Sequence, residues 1–376
     1  MQARLKSQVK MFLAAVLLGT SPHLYSQTNP DFNVSLRIDY ASIDGLINLK
    51  EGLVANVNNV AKLRGNQIAA ATSALLARQQ YTPDDFSREL ERFRDGTTSS
   101  FDIYGLKSTL QYFDKVKALL AEVKKRQLDR RIVATIAQFF PQDADITINI
   151  PVYFVALGHE NAAAYVRRIV WNGNTPRFVG EGQGELTIVV NLTRSCQFIQ
   201  EVQMQFIDMM STLAHETFHA AFGVYKDTSP VWRSIEHRPE PYWTLAELVQ
   251  NEGIAYLISL QTHGSSRLSE QQLAAATRTV GVLNSALKEL ASPGITSSRA
   301  RDLILNSNLS GGYESNYGAT AGLLMAYAID SKLGRNALTE TIKKGVGDFF
   351  STYNELTQSY GELPKFDDAV IQALQN

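Results

Sequence analysis

Leu213-Ala214-His215-Glu216-Thr217-Phe218-His219-Ala220-Ala221 sets two histidines four residues apart around a glutamate, within a run, Met204 to Tyr225, that has no proline and is apolar over most of its length. Such a run reads as a helix. On a helix, positions i and i+4 lie about 40° apart, so His215 and His219 present their imidazoles to one point in space. Glu216 is about 100° further round, beside that point and not at it. Phe206, Met209, Met210, Leu213, Ala220 and Ala221 occupy the side away from the histidines, which makes this a core helix. Two imidazoles and a carboxylate are costly in a core unless something binds them, and His-Glu-x-x-His is the spacing with which a helix holds zinc. Zinc lowers the pKa of a water it holds to about 7. The Glu216 carboxylate stands where it can take that water's proton and later hand it to a leaving group.

A hydrolytic zinc site needs a third protein ligand and an open fourth position. Downstream, Glu236, His237, Glu240, Glu247 and Glu252 are available. Thr244 to Gln261 reads as a helix whose apolar stripe is Leu245, Leu248, Val249, Ala255 and Tyr256, with Glu252 in the middle of the stripe and Glu247 on the opposite side. Gly253 and Ala255 let this helix approach its neighbour closely. Glu252 is therefore the preferred third ligand. Glu236 and His237 fall in a proline-rich stretch, Ser229 to Pro241, that reads as a loop, and a buried ion pair is the alternative role for Glu252.

His-Glu-x-x-His followed by a second helix carrying Asn251-Glu252-Gly253-Ile254-Ala255 resembles the gluzincin zinc metallopeptidases, and most of all a bacterial group of zinc-dependent peptidases of uncharacterised substrate. The resemblance runs from Thr187 to Leu338, through Tyr317-Gly318-Ala319-Thr320-Ala321-Gly322 and on to Gly334. It implies Zn2+ on His215, His219 and Glu252, Glu216 as general base, and a zincin-like catalytic part in which a strand precedes the metal helix. The spacing from His219 to Glu252 is longer than in the thermolysin or aminopeptidase patterns, and there is no Gly-x-Met-Glu-Asn exopeptidase motif. Enzymes of this kind set a neutral Tyr or His donor against the oxyanion of the tetrahedral intermediate. Tyr317, at a helix start, is the first candidate and Tyr313 the second; the alternative is that both only pack.

The beginning of the chain has a different grammar. Arg4, Lys6 and Lys10, the apolar run Met11 to Leu18 and a more polar stretch ending at Ser26 match a secretory signal peptide over residues 1–26. The apolar run is short for a span, so no stable membrane insertion is expected after cleavage, and the mature chain is expected to be exported, periplasmic or secreted. With one cysteine, Cys196, the chain has no intrachain disulfide and must rely on its core. Lys plus Arg number 36 and Asp plus Glu 37, a net charge of −1, which gives no electrostatic case for nucleic acid. The one basic run, Lys124-Lys125-Arg126 with Arg130-Arg131, is interrupted by Asp129 and reads as a solvated helix face.

The remaining periodicities give an α+β, mostly helical chain with a small sheet and a two-helix metal site. Val34 to Arg37 reads as a short strand. Ser42–Gly52, Val57–Gln80, Pro83–Arg94 with Thr82 as N-cap, and Tyr104–Lys125 read as helices of an N-terminal lobe over residues 27–140, with a pro-segment as the alternative. Residues 141–376 form the metal-binding domain. In it Ile146–Leu157, Tyr165–Trp171 and Glu185–Asn191 read as strands, and Gly180-Glu181-Gly182-Gln183-Gly184 as a hairpin turn. Ser269–Leu290, Ser297–Leu305, Tyr317–Leu333, Asn336–Lys344 and Leu363–Leu374 read as helices. A peptide or protein substrate fits this arrangement, its backbone pairing with the last strand at the cleft. Two function classes follow: a zinc-dependent peptidase, or a non-catalytic zinc-binding or partner-binding protein on a peptidase fold. Glu216 favours the first, because a purely structural site has no use for an unliganded carboxylate there.

Overall fold

Phe32–Asp39 (β1) lies parallel to Ile146–Val155 (β2) along its whole length, Phe32 opposite Ile146 and Asp39 opposite Tyr153, in a computed structural model that describes residues 31–375 apart from 160, 161, 174, 181 and 309–315. The leader expected over residues 1–26 and Tyr313 lie outside the described residues. Parallel neighbours cannot be joined by a tight turn, so the chain between them must cross over. It does so through seven helices: Ala41–Lys50 (α1), Val57–Ala61 (α2), Arg64–Leu76 (α3), Pro83–Arg94 (α4), Leu106–Gln111 (α5), Phe113–Lys124 (α6) and Leu128–Ala137 (α7). The stretch read as a separate helical lobe is, from β1 onward, this crossover. One apolar core runs from Leu46, Phe86 and Leu119 through Ile150 and Val189 to Phe218, Val249 and Leu324, so residues 32–140 are not set apart from the sheet.

Ala164–Asn172 (β3), Thr175–Phe178 (β4) and Glu185–Asn191 (β5) complete a sheet of order β1-β2-β5-β3-β4. β5 is parallel to β2, and β3 is antiparallel to both β5 and β4. Burial follows position. The last six residues of β2 and the last five of β5 are all buried, as central strands covered on both faces must be, whereas β1 alternates and β4 is short and carries Pro176, both fit for edges. The glycine-rich stretch expected as a hairpin turn is something else. The hairpin is β3 to β4, and β5 lies on the other side of β3 from β4, with Gly182 and Gly184 at positive φ.

Elsewhere local chemistry sets the helix boundaries. Thr82 Oγ1 accepts from the Asp85 amide at 3.1 Å with Pro83 in the first turn, so α4 has the expected start. The run Val57–Gln80, expected as one helix, breaks at Leu63, where Asn66 Nδ2 donates to the Val60 carbonyl at 3.0 Å and to Ser42 O at 3.2 Å. Those bonds satisfy the end of α2 and let α3 restart at a new angle. The first three residues of the basic run are paired where they stand: Lys124 with Asp44, and Lys125 and Arg126 with Glu122.

After the sheet come Leu192–Phe198 (α8), Val202–Thr228 (α9), Pro230–Glu236 (α10), Pro241–Thr262 (α11), Glu270–Leu290 (α12), Ser297–Asn306 (α13), Tyr317–Leu333 (α14), Arg335–Lys344 (α15), Val346–Ser359 (α16) and Asp368–Gln375 (α17). α9 lies on β2, β3 and β5; α11 packs between α9 and α14. Three expectations change. The stretch read as a loop holds α10, started by Ser229 capping and Pro230 and anchored by Trp232, whose Nε1 donates to Ile342 O at 2.7 Å. α16, with Phe349, Phe350 and Tyr353 buried, was not anticipated, and α17 begins later than expected. The chain is mostly helical around a five-stranded sheet. Among the described residues no helix is long and apolar enough to cross a membrane.

Candidate metal centre

α9 is long because nothing stops it before Ser229-Pro230: it holds no proline, and its one glycine, Gly223, is tolerated within a helix buried along most of its length. It presents His215 and His219 from one face, as the period requires. Their Nε2 atoms are 2.9 Å apart. From α11, Glu252 brings Oε2 to 3.5 Å from His215 Nε2 and Oε1 to 3.5 Å from His219 Nε2. Ligands at about 2.0 Å from a tetrahedral zinc stand about 3.3 Å from one another. One donor atom from each of the three residues lies within 4.8 Å of the others, and among the described residues they are the group that could hold a metal ion.

Each donor is held from behind. His219 Nδ1 meets Asn251 Oδ1 at 2.8 Å, so this ring donates backward and offers Nε2 forward. His215 Nδ1 is 3.3 Å from Ser259 Oγ, and Asn308 Nδ2 donates to Glu252 Oε1 at 2.6 Å. Such outer partners fix tautomer and orientation, a cost that only a ligand repays. Asn251 sits next to Glu252, so α11 supplies both a donor atom and the brace for a donor on α9.

The electrostatics agree. Burial alone would push the His219 imidazole down, but the Glu252 charge and hydrogen bond, with help from Glu216 and Asn251, outweigh it and raise it to about 9. Burial would likewise raise Glu252, yet His219 and His215 hold it well below the usual carboxylate range. The set wants a cation at its centre. Glu216 is half-buried beside the pair and makes no hydrogen bond or ion pair with a described residue.

The other candidates separate cleanly. Glu236, His237 and Glu240 are exposed, with His237 Nδ1 turned to Arg233 O, and Glu247 pairs with Lys226. Tyr317 is buried at the start of α14, where its hydroxyl donates to Leu303 O at 2.6 Å. A phenol has one proton to give, so Tyr317 as placed anchors α14 to α13 and has none for an oxyanion.

A different tyrosine is at the site. Tyr256 follows Glu252 by one turn of α11, and its ring meets that of His215 edge-on with centroids 4.9 Å apart. Burial pushes its hydroxyl up to about 12, with Glu252 and Glu216 adding to the rise. Asn316, the N-cap of α14, lies near this hydroxyl and works against the rise. The Asn316 Oδ1 has no hydrogen-bond partner among the described residues. The Tyr256 hydroxyl donates to no described residue, so its proton is free. The same stripe that points to Glu252 in the sequence contains Tyr256, where it reads as an apolar packing residue.

The sequence matches, over residues 57–361, the family described as "Putative zinc dependent peptidase (DUF5700)". The chain belongs to this family. Its cofactor is zinc, and the His215, His219 and Glu252 cluster supplies a fitting ligand set. The matched stretch covers both sides of residue 140, so the helical crossover and the metal helices fall within one family unit. No curated protein and no solved structure matches the chain.

Proposed function

We propose that this protein is a zinc-dependent peptidase of zincin-like design in which Glu216 is the general base. The observation that carries the reading is the convergence of three braced donors from two helices next to a second carboxylate, Glu216, that makes no hydrogen bond or ion pair with a described residue. Zinc held by His215, His219 and Glu252 supplies Lewis acidity, acidifying a water and drawing charge from the scissile carbonyl. Glu216, turned about 100° from His215, accepts the proton of the attacking water and delivers it to the departing amine. Tyr256 donates its free hydroxyl proton to the oxygen that becomes anionic, its ring held edge-on against His215. Peptides or proteins are the substrates. The leader-like residues 1–26 support an exported enzyme, and N-terminal sequencing of mature protein, expected to begin near Gln27, tests that part.

The test separates metal binding from proton transfer. Glu216→Gln keeps shape, so zinc content and folding stay near wild type while peptide hydrolysis falls by about two orders of magnitude or more. Glu252→Gln loses zinc, because a neutral amide is a poor ligand. Full activity in Glu216→Gln overturns the base assignment. Wild-type protein that holds zinc and cleaves nothing in a broad peptide library supports the non-catalytic zinc-binding alternative instead.

A further inference from the structure

Starting from His219, α9 runs along a cleft of about 330 Å³ between the metal helix and the sheet. His219, Ala220 and Gly223 line it from the helix, Val166, Arg168 and Leu186 from the strands. Gly223 is one turn beyond His219, about 6 Å along the axis. A Cβ built on it would meet nothing within 4 Å, so the helix face just past the metal ligand is left empty. One residue of an extended peptide spans about 3.5 Å, and the cleft therefore takes the one or two residues next to the scissile bond.

Strand alternation shows which charge faces that space. Tyr165 lies beside Thr72 of α3, and Arg64 of α3 lies over the Trp171 ring at 4.9 Å, so the odd positions of β3 face α3. Val166 and Arg168 therefore face α9, and Leu186, the register partner of Arg168, lines the same cleft. Arg168 is half-buried and makes no side-chain hydrogen bond or ion pair with a described residue. Arg167, Lys226 and Asp227 also line the cleft. Lys226 is paired with Glu247; Arg167 stacks its guanidinium on Tyr165 and Phe178, at 4.9 and 5.7 Å from the ring centroids. Asp227 is exposed and about 12 Å along α9 from His219. Of the two guanidiniums in the cleft, Arg168 is the one neither stacked nor paired with a described residue.

We propose that Arg168 binds a carboxylate of the substrate beside the scissile bond, an inference that rests on the peptidase reading above. A guanidinium offers two parallel N–H donors that match a carboxylate, and the half-buried setting strengthens the pair over one in open water. The carboxylate belongs to an Asp or Glu side chain or to the substrate's own C-terminus; both present the same chemistry.

Zinc-loaded Glu216→Gln protein, which does not turn substrate over, provides the test. It is titrated with fluorescent peptide libraries randomised except at one position: Asp with an amidated C-terminus, Asn with an amidated C-terminus, and Asn with a free C-terminus. One of the two carboxylate libraries binds roughly ten- to a hundredfold more tightly than the amidated Asn library, the worth of a charge-assisted pair. Which of the two it is identifies the source. Arg168→Gln abolishes the preference and Arg168→Lys keeps part of it, both with unchanged zinc content. Equal or absent binding of all three libraries, or a preference that survives Arg168→Gln, overturns the proposal. A carboxylate preference in a wild-type protein that hydrolyses nothing instead overturns the peptidase reading and leaves the Arg168 site standing.

Discussion

Gly253→Ala tests whether the third ligand depends on how closely α11 and α14 approach. The two helices meet at Gly253 and Gly322, and a methyl on Gly253 would lie 2.7 Å from the Gly322 Cα and nearer still to its carbonyl. Carbon atoms need about 3.5 Å, so the helices must separate by about 1 Å or shear by a similar amount. Glu252 precedes this glycine in the chain and holds its oxygens 3.5 Å from the two imidazole nitrogens. Zinc–ligand distances tolerate deviations of only about 0.2 Å, several times less than the forced shift. Zinc affinity is therefore expected to fall on the order of 10- to 100-fold, as it does when a ligand loses its orientation. The metal-free protein loses about 1–3 kcal/mol, the usual cost of overpacking. Competition against a chromophoric chelator measures the first and denaturant unfolding of chelator-treated protein the second. Gly281→Ala on α12 is the control: its Cβ would meet nothing within 4 Å, so it gains about 0.5–1 kcal/mol and leaves zinc unaffected. Wild-type zinc affinity and stability in Gly253→Ala refute the close-approach reasoning.

Tyr256→Phe is expected to lower kcat about 10²- to 10³-fold with zinc content intact, while Tyr317→Phe leaves kcat alone and costs about 1–3 kcal/mol by stranding the Leu303 carbonyl; steady-state kinetics with unfolding titrations on both variants check the pair. Asn251→Ala frees the His219 ring and lowers zinc affinity on the order of 10- to 100-fold, measured by chelator competition; an unchanged affinity removes Asn251 from the site. The Asp208 carboxylate, 3.7 Å from His263 Nε2 and opposed in part by burial, raises His263 above its ordinary value near 6.5. A raised folded-state pKa gives stability that is complete below about pH 6.5 and fades as pH climbs through the raised value. Unfolding titrations of wild type and Asp208→Asn should accordingly differ at pH 6 and converge at high pH, and a gap that widens with pH contradicts this.

The metal helix was legible because its evidence is local. His215, Glu216 and His219 are fixed relative to one another by a helical period, and the absence of proline before Pro230 guarantees that the helix is continuous. Glu252 needed one step more, the observation that it interrupts an apolar stripe, and that also is local to α11. Where the chain builds structure across long separations, the pattern underdetermines it. β1 alone is an eight-residue strand of ordinary alternation; that it pairs with β2 more than a hundred residues later, turning a presumed lobe into a crossover, is written in no single window. The hairpin expected at Gly180 to Gly184 fails for the same reason. Glycines there signal a change of direction, but which strand receives the chain depends on β3 filling the place between β4 and β5. α10 is the opposite case, since Ser229-Pro230 is a local start signal, outweighed in the reading by the density of prolines around it.

The two tyrosines show where a site becomes illegible and where it need not. Tyr317 stands at a helix start within a stretch of small residues, and whether its hydroxyl points to a substrate or to a backbone carbonyl is a tertiary fact; Leu303 O, on another helix, takes the proton. No periodicity reports that. Tyr256 is different, because the criterion that selects Glu252 applies to it without change: same helix, same stripe, one turn on. A stripe that carries one metal ligand faces the metal along its length, so a polar-tipped aromatic at i+4 is within reach of the same chemistry and is more than packing. What the sequence conceals is the proton, and there the structure is needed: the Tyr256 hydroxyl donates to no described residue, whereas that of Tyr317 is spent on Leu303 O.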